Sequence, residues 1–294
     1  MITIIKPNEA LDFKTKTSRD IHTVTHDGVF HADEIFSIAL LKLFHKNIFI
    51  TRTRDPHILE SAVNNPNTFV LDVGGVYSPK HLNFDHHQDD APEGLSTIAL
   101  LFFHLFPDYK TDKLLHKLYE RLINGINEWD QGKTDRKLFN HPLHLPQVIS
   151  GFNRFGTSGQ DAQFLKAVDF AYKILGNEMN TASEVIRSEE IWEKKKVLGN
   201  DTVLLPEFCV FWRSVQGDTP KYKYIVQPGE NKWSVMAVNS DNHPLPQANE
   251  TDKGIVFQHK DRFVIVFENH KSAMKYVNKH LLGKNEIKMN YEKY

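Results

Sequence analysis

Hydrophobic positions in the first half of the chain follow two alternating patterns. Short β-branched runs at 21–25, 47–53 and 68–73 predict strands, whereas the apolar positions of 33–44 recur at helical spacing. A shorter helical pattern begins at Pro56, a residue that suits the first turn of a helix. Strands that alternate with helices are typical of βαβ units, so this half is predicted to be an α/β domain around a mostly parallel sheet.

Farther along the chain, helical patterns come first and strand-like runs follow. Helical spacing returns over 95–106, 111–130 and 160–198, and the last of these segments ends in a basic run before Gly199, as helices often do. From there on, short strand-like runs are separated by turn residues and followed by a helical pattern. The predicted strands are 208–213, 222–227, 233–238, 254–258 and 262–267, and the helix is 270–282.

Length and composition fit this organisation. A chain of 294 residues is long enough for about two domains. Apolar residues make up 40% and charged residues 25% of the chain, which excludes a collagen-like, coiled-coil or disordered protein. We predict an α/β domain over 1–150, a helical connector over 151–200 and a smaller α+β domain over 201–294.

Charge and hydropathy narrow the class of protein further. The formal net charge is −1, so a broad basic surface for nucleic acid is not expected. The longest nearly apolar run, Thr97–Phe106, is about half of the ~20 residues that a membrane helix needs, and the first residues lack the apolar core of a secretory signal. We therefore expect a soluble, cytoplasmic protein. The single cysteine, Cys209, excludes a thiolate metal cluster, so any metal must be bound by His, Asp and Glu.

Two imidazoles and two carboxylates crowd the segment after the first of these strands. His26, His31, Asp33 and Glu34 lie between the strand end and the next helix, where open α/β sheets bind ligands. Acidic residues at a helix start also complement the helix dipole, which would explain Asp33 and Glu34 but not the histidines. A metal site and a capped helix start are therefore the two interpretations of this segment.

Two further carboxylates follow apolar runs. Asp72 closes a predicted strand, where it either needs a charged partner or caps the turn that begins at Gly74. Asp85 precedes His86 and His87, and adjacent imidazoles repel each other once both are protonated. Binding a metal or a phosphate suits that pair better than packing does.

Asp130 is a candidate because it continues the apolar stripe of the helix predicted over 111–130. It stands four residues after Ile126 and seven after Ile123, on the face that the fold would bury. The alternative is that the helix frays at Trp129 and leaves Asp130 in solvent.

In this order, the candidate segments resemble the motifs of the DHH phosphoesterase superfamily. The segments are His26–Glu34, Asp72–Gly75, Asp85–Gln88 and Asp130. Within that superfamily, the chain is most similar to the MYG family of metal-dependent 3′–5′ RNA exonucleases in three segments, Thr25–Glu34, Arg52–Pro56 and the Asp85 motif. The resemblance is dense in motifs in the first half of the chain and thinner in the second.

The resemblance implies a DHH-phosphoesterase-like parallel sheet and a pair of Mn²⁺ ions, with Mg²⁺ as the alternative, which agrees with oxygen and imidazole ligands. The implied ligands are histidines and aspartates: His26 and His31 for one ion, Asp33, His86 and Asp130 for the other, and Asp72 between them. The first motif of the superfamily usually has an Asp where this chain has His31, and His31 stands one residue later than that Asp would. Asp85 would orient an imidazole next to the metals.

The implied reaction is hydrolysis of a phosphodiester, with single-stranded RNA or short oligonucleotides as substrate and Asp72 bridging the two ions. His87 is the candidate for contacting the scissile phosphate or protonating the leaving group. Arg52 and Arg54 alternate at the end of a strand, so they are predicted to share a face and grip phosphate oxygens. The alternative for the two arginines is a solvated edge beside Asp55.

Two positions depart from the family pattern. Asn127 stands where members usually have Asp, so it is expected around the metal site without binding the metal. The Gly-Gly segment of the C-terminal domain appears here as Ile265–Val266, which weakens the expectation that this domain binds substrate. A phosphatase or pyrophosphatase for small phosphate esters, or a non-catalytic metal- or nucleotide-binding protein with a decayed site, are the alternatives. No membrane partner is expected, and a homodimer is one option.

Overall fold

Two units, each built on a six-stranded sheet, make up the chain. The computed structural model describes residues 1–7, 20–138, 141, 144–154, 156, 159–217 and 221–283. The first unit is Met1–Ala182 and the second is Ser183–Tyr294. Within these described ranges, we find no helix with the length and apolar character required to cross a membrane.

The sheet of the first unit is parallel except at one edge. Its strands are β1 (Ile2–Ile4), β2 (Asp20–Thr25), β3 (Asn47–Arg52), β4 (Thr68–Leu71), β5 (Tyr77–Ser78) and β6 (Asn83–Phe84). They are arranged in the order β1-β3-β2-β4-β6-β5, and β5 pairs with β6 in the antiparallel direction. The predicted α/β class and mostly parallel sheet are confirmed. The three predicted strands correspond to β2, β3 and β4, whereas β1, β5 and β6 are too short to show a pattern of their own.

Helices connect and follow the strands of this sheet, and the last of them extends past Ala182 into the second unit. They are α1 (Ala32–Leu41), α2 (Pro56–Val63), α3 (Thr97–Leu105), α4 (Lys113–Leu118), α5 (Asn124–Asp130), α6 (Leu145–Ser150) and α7 (Gln160–Glu193). A π-helical turn, Tyr119–Ile123, joins α4 to α5, so the helix predicted over 111–130 is nearly continuous. Helix α6 was not predicted, because it is short and the segment around it contains Pro142 and Pro146, which are unusual in helix interiors.

Alternation along the central strands divides the apolar side chains between two clusters. In β4, Phe69 and Leu71 join the main core with α1 and α3, whereas Val70 packs on the other side with Val24 and Ala62 of α2. The strands are therefore buried on both faces, as parallel strands usually are. All ten residues of α1 are buried, because this helix packs against α3, α5 and α6.

The second unit is the α+β part of the chain. Its elements are β7 (Lys196–Leu198), β8 (Thr202–Leu204), α8 (Trp212–Gln216), β9 (Tyr224–Pro228), β10 (Trp233–Ala237), β11 (Ile255–Gln258), β12 (Val264–Phe267) and α9 (His270–Tyr276). The strand order is β11-β12-β10-β9-β8-β7, and the pair of β8 and β9 is parallel. Helix α9 packs on β10 and β12 and continues into a π-helical turn, Val277–Leu281. Four of the predicted strands and the last helix are confirmed.

Two predictions for the second half were wrong. The run 208–213 is not a strand: Cys209 and Trp212 are buried in a cluster with Leu205, and Trp212 begins α8. The helix predicted to reach residue 198 ends at Glu193 and is followed by β7. Gly199 does not end that helix but lies in the turn between β7 and β8, with φ +64°. In both places, the spacing of apolar residues fits more than one local structure, and packing within the second unit determines which one forms.

Candidate metal centre

Three neighbouring parallel strands bring the predicted motifs to one edge of the sheet. The last residues of β2, β4 and β6, namely Thr25, Leu71 and Phe84, lie in register with one another. Each strand is followed at once by candidate residues: His26, Asp72 and the Asp85–His87 segment. Together with Asp130 from the end of α5, they line a cavity of about 590 Å³. The helix does not fray before Asp130.

Asp72 lies at the middle of the site. One carboxylate oxygen, Oδ2, is 3.4 Å from Nε2 of His26, and the other, Oδ1, is 3.2 Å from Nε2 of His86. Burial by itself would raise the pKa of Asp72, but the contacts and charges of the two histidines outweigh it and hold this pKa below its ordinary value. The backbone of Asp72 has φ +59°, a conformation that Asp tolerates better than most residues do.

His26 is held in one tautomer by the backbone beside it. Its Nδ1 lies 3.0 Å from the carbonyl oxygen of Asp27, which only accepts, so Nδ1 carries a proton. The other ring nitrogen, Nε2, is 3.1 Å from Oε1 of Glu34 as well as close to Asp72. The exposed ring of His31 has its centroid 5.7 Å from that of His26. Nε2 is therefore the atom that His26 presents to the carboxylates.

His86 and Asp130 form the second half of the site. Nε2 of His86 is 3.2 Å from Oδ2 of Asp130 and also contacts Asp72. Its Nδ1 lies 3.1 Å from the side-chain amide of Gln131, which orients the ring. Burial raises the pKa of Asp130, and the charge of Asp72 adds to the rise. One imidazole therefore joins two carboxylates that would otherwise repel each other.

Asp33 anchors the start of α3. Its Oδ1 accepts from the hydroxyl of Ser96 at 2.7 Å and from the amide of Ile98 at 2.9 Å, and its Oδ2 accepts from the amide of Thr97 at 2.9 Å. These bonds satisfy amides of the first helical turn and act to lower the pKa of Asp33. Burial and the charges of Asp130 and Asp72 outweigh them and raise this pKa well above its ordinary value. Asn127 supports the same segment, because it accepts from the Ser96 amide at 2.8 Å and donates to the carbonyl of Gly94 at 3.3 Å. Aspartate at position 127 could not make that second bond.

His87 is oriented by Asp85. Nδ1 of His87 lies 2.7 Å from Oδ1 of Asp85, and the imidazole side chain is 63% exposed at the cavity. Asp85 also accepts from the amides of His86 and His87, and from the amide of Gly75 at 2.6 Å. With Nδ1 paired to Asp85, Nε2 is the atom of His87 that is left to exchange a proton.

The two arginines do not share a face, so that part of the prediction was wrong. The side chain of Arg52 is 3% exposed and donates to Gly28 O at 2.7 Å and to Asp161 at 2.8 Å, and its guanidinium lies 4.5 Å from the ring centroid of Phe164. Arg52 therefore connects the His26–His31 loop to α7. Both terminal nitrogens of its guanidinium are engaged, so they are not available as a pair of donors to a phosphate. Arg54 is 64% exposed and lines the cavity. It follows the end of β3, where strand alternation no longer applies.

Replacing each arginine by Met separates these two positions. Arg52→Met is expected to lower the free energy of unfolding by about 1–3 kcal/mol, because the Gly28 carbonyl loses its main partner. The matched change Arg54→Met is expected to alter stability by less than about 0.5 kcal/mol, as is usual for exposed sites. Urea unfolding measures both values, and equal values for the two variants would contradict the assignment.

Glu34 is the residue of the site that sequence reasoning missed. It lies in the first candidate segment but is not among the ligands that the family resemblance implies, and its Oε1 accepts from the His31 amide at 2.8 Å. The same carboxylate contacts His26 inside the site, and its side chain is fully buried. The signal that could have found it is its place beside His26, His31 and Asp33 in the first candidate segment.

A divalent cation pair fits these residues. Three groups of side chains each offer ligand atoms within 4.8 Å of one another: His26, His31, Glu34 and Asp72; Asp72, His86 and His87; and Asp33, His86 and Asp130. Within the described residues, the buried Oε2 of Glu34 has no hydrogen-bond partner, and His86 Nε2 and Asp130 Oδ2 have ion-pair contacts but no hydrogen bond. Buried polar atoms without hydrogen bonds are costly, and a cation would satisfy them. Imidazole and carboxylate donors suit Mn²⁺ and similar ions.

The shifted pKa values of the two histidines make both the stability of the metal-free fold and its affinity for a cation depend on pH. Burial lowers both values, but Asp72 and Glu34 raise the pKa of His26 to about 10, and Asp72 with its neighbouring carboxylates raises that of His86 to about 9. The metal-free fold holds these protons more tightly than the unfolded chain, whose His pKa is about 6.5. It should therefore be most stable below about pH 6.5 and lose that contribution as the pH rises through 9 to 10.

A cation replaces these protons, so the gain in Tm on adding Mg²⁺ is expected to increase between about pH 6.5 and about pH 9. Thermal unfolding with and without the ion, at steps across that range, measures the gain. A gain of the same size at every pH would contradict the coupling between cation and imidazole protons.

An α/β fold with clustered imidazoles and carboxylates at the carboxyl edge of a parallel sheet defines a candidate metal-dependent enzyme. The family model for MYG1 exonucleases, described as an uncharacterised protein family (UPF0160), matches residues 22–250, which is more than half of the chain. The chain therefore belongs to this family.

Curated relatives come from bacteria and eukaryotes. The MYG1 protein of Chlamydia trachomatis is 30% identical over 226 residues, which cover 73% of this chain and 74% of that protein. The MYG1 protein of Chlamydia muridarum is 27% identical over 286 residues, which cover 86% of this chain and 94% of that protein. The MYG1 exonuclease of Homo sapiens is 29% identical over 194 residues, 50% of each chain.

Among solved structures, the chain has a distant similarity to RecJ of Thermus thermophilus in complex with Mn²⁺. That structure is 12% identical, with a TM-score of 0.27, and the match covers 87% of this chain and 50% of that chain. At this level of similarity it adds nothing to the description of the site.

Proposed function

We propose that this chain is a divalent-cation-dependent phosphodiester hydrolase that removes nucleotides from the 3′ end of single-stranded RNA or short oligonucleotides. The observation that carries the proposal is the sharing of ligands at the sheet edge. Asp72 belongs to two of the three potential ligand groups, and His86 also belongs to two. Ligand groups that overlap in this way would hold a pair of cations, as two-metal hydrolases do. The exonuclease named among the curated relatives supports the same reaction class.

The proposed ligands are those implied by the motifs: His26 and His31 for one ion, Asp33, His86 and Asp130 for the other, and Asp72 between them. When bound, two Mn²⁺ or Mg²⁺ ions would polarise the phosphodiester and make a hydroxide available near neutral pH. Asn127 keeps the α3 start in place through Ser96 and Gly94. It acts on Asp33 indirectly, since Ser96 also donates to that carboxylate.

Two cavity residues are proposed to act on the substrate. His87, with Nδ1 paired to Asp85, gives or takes a proton at Nε2 or contacts the scissile phosphate. Arg54 lines the same cavity, and its Nε is 3.5 Å from Asp27 in an exposed pair that a phosphate could replace. Neither residue is among the ligands that the motifs imply.

The test is a chain-length series with end-labelled RNA. Purified protein with Mn²⁺ is expected to release mononucleotides, and cleavage should become faster from dinucleotide to longer single strands. A rate that does not increase with length would favour a phosphatase or pyrophosphatase for small phosphate esters. The segment Ile265–Val266 gives weight to that outcome, because it lies within β12, with Ile265 fully buried, where the family pattern has two glycines. Fewer than one bound ion per chain by mass spectrometry would favour a decayed site.

A further inference from the structure

The buried carboxylate of Glu34 has one oxygen that the fold does not explain. Its Oε1 accepts from the His31 amide at 2.8 Å and completes the capping box at the start of α1. Its Oε2 is buried and has no hydrogen-bond partner within the described residues. A carboxylate with no access to solvent is destabilising unless its charge is balanced, and a capping role alone would be served by a half-exposed side chain.

The lone pairs around His26 point to what balances that charge. Since Nδ1 of His26 carries its proton toward Asp27, neutral His26 has a lone pair at Nε2. That lone pair faces Oε1 of Glu34 at 3.1 Å and Oδ2 of Asp72 at 3.4 Å. Three acceptors this close together need a cation between them, either a proton on Nε2 or a metal ion.

We propose that Glu34 is a further ligand of the cation held by His26 and Asp72, in addition to the ligands that the family motifs imply. The inference rests on the proposed function, since it concerns the cations of that site. Glu34 offers a ligand atom within 4.8 Å of those of His26, His31 and Asp72. The ion near His26 then has two carboxylates, so its site no longer depends on the exposed His31 for affinity.

The charge balance of the whole site agrees with this assignment. The carboxylates in the three potential ligand groups are Asp33, Asp72, Asp130 and Glu34. When bound cations keep all four ionised, their four negative charges equal the positive charge of two divalent ions, so including Glu34 does not give the site an excess of negative charge before substrate binds. In a buried site an excess charge is expensive, so a balanced set is favoured.

Glu34→Gln tests the proposal, because the amide oxygen can still accept from the His31 amide while the anionic charge is removed. Mn²⁺ binding is measured by calorimetry and by metal content after gel filtration. Wild-type protein is expected to bind two ions, and Glu34→Gln should bind one of them at least about tenfold more weakly. Its electron paramagnetic resonance spectrum should change from that of a spin-coupled pair to that of isolated Mn²⁺.

Glu178→Gln is the matched control, since Glu178 forms a surface ion pair with Arg121 and should leave both ions bound. If Glu34→Gln binds two ions within about twofold of wild-type affinity, the assignment of Glu34 is overturned and the proposed function is untouched. If wild-type protein itself binds no divalent ion, the proposed function fails.

Should Glu34→Gln not fold, Glu34→Asp is titrated instead. This variant keeps the charge but draws the carboxylate back by one methylene group. Weakened binding of one ion is expected, and intact binding of both overturns the proposal.

Discussion

Asp72→Asn is expected to lower turnover by on the order of 10³-fold or more, since it removes the charge around which both cation positions are arranged. The amide keeps the volume of the side chain, so the cavity keeps its shape. Nε2 of His26 and Nε2 of His86 would each lose a negative neighbour at 3.4 Å and 3.2 Å. The variant should therefore bind less metal as well as turn over slowly, which release of labelled nucleotides and metal content measure separately.

Asp169→Asn is a suitable control for Asp72→Asn. Asp169 pairs with Lys42 and Lys173 at the surface, and its side chain is 54% exposed. Loss of such a pair is expected to change stability by less than about 1 kcal/mol and turnover not at all. If Asp72→Asn cleaves RNA as fast as this control, the site has been assigned to the wrong residues.

His87→Ala is expected to lower turnover by about 10²- to 10⁴-fold, the range for loss of a general acid or base, while two ions remain bound. The physical reason is that Nδ1 of His87 is already paired with Asp85 at 2.7 Å, so that Nε2 is the atom left for the proposed proton transfer. Kinetics with saturating Mn²⁺ and a parallel metal analysis measure the two effects. A matching loss of metal would instead make His87 a ligand in the group of Asp72 and His86.

Asp85→Asn distinguishes orientation of His87 from a general effect on the fold. If Asp85 acts through His87, the double variant Asp85→Asn/His87→Ala should be no slower than His87→Ala alone, because residues that act as one unit are not additive. Additive losses would mean that Asp85 acts independently, through the amides of Gly75 and His86 that it also binds.

Family membership and the parallel sheet were both accessible from the sequence, because each depends on local regularities. Strand alternation, helical spacing and the motif segments are contained in short windows, so β2, β3, β4 and the candidate residues at their ends could be predicted. The strand predicted at 208–213 and the helix predicted to extend to residue 198 failed because similar apolar spacings fit more than one local structure. There, burial of Cys209 and Trp212 and the β7–β8 pairing decided between them.

The candidate site shows the same division. His26 and Asp72 directly follow predicted strands, so their convergence could be predicted, because parallel strands present their carboxyl ends at one edge. The order of the motifs added His86 and Asp130 to the same site. The direction of a side chain at a strand end is not contained in that order. Arg52 is engaged by Asp161, more than one hundred residues away, and Asp33 accepts from residues that lie 63 to 65 positions away.

Sequence alone thus determined which strands and motifs exist and which chemical groups they carry, because periodicity and residue type are properties of the local chain. The tertiary structure decided which of those groups are free to act. Arg52 binds a loop and Asp85 orients His87, so both side chains have structural partners. Glu34 has one carboxylate oxygen without a hydrogen-bond partner among the described residues. Burial and hydrogen bonding depend on partners distant in the chain, and these partners set whether a charged side chain is structural or available for chemistry.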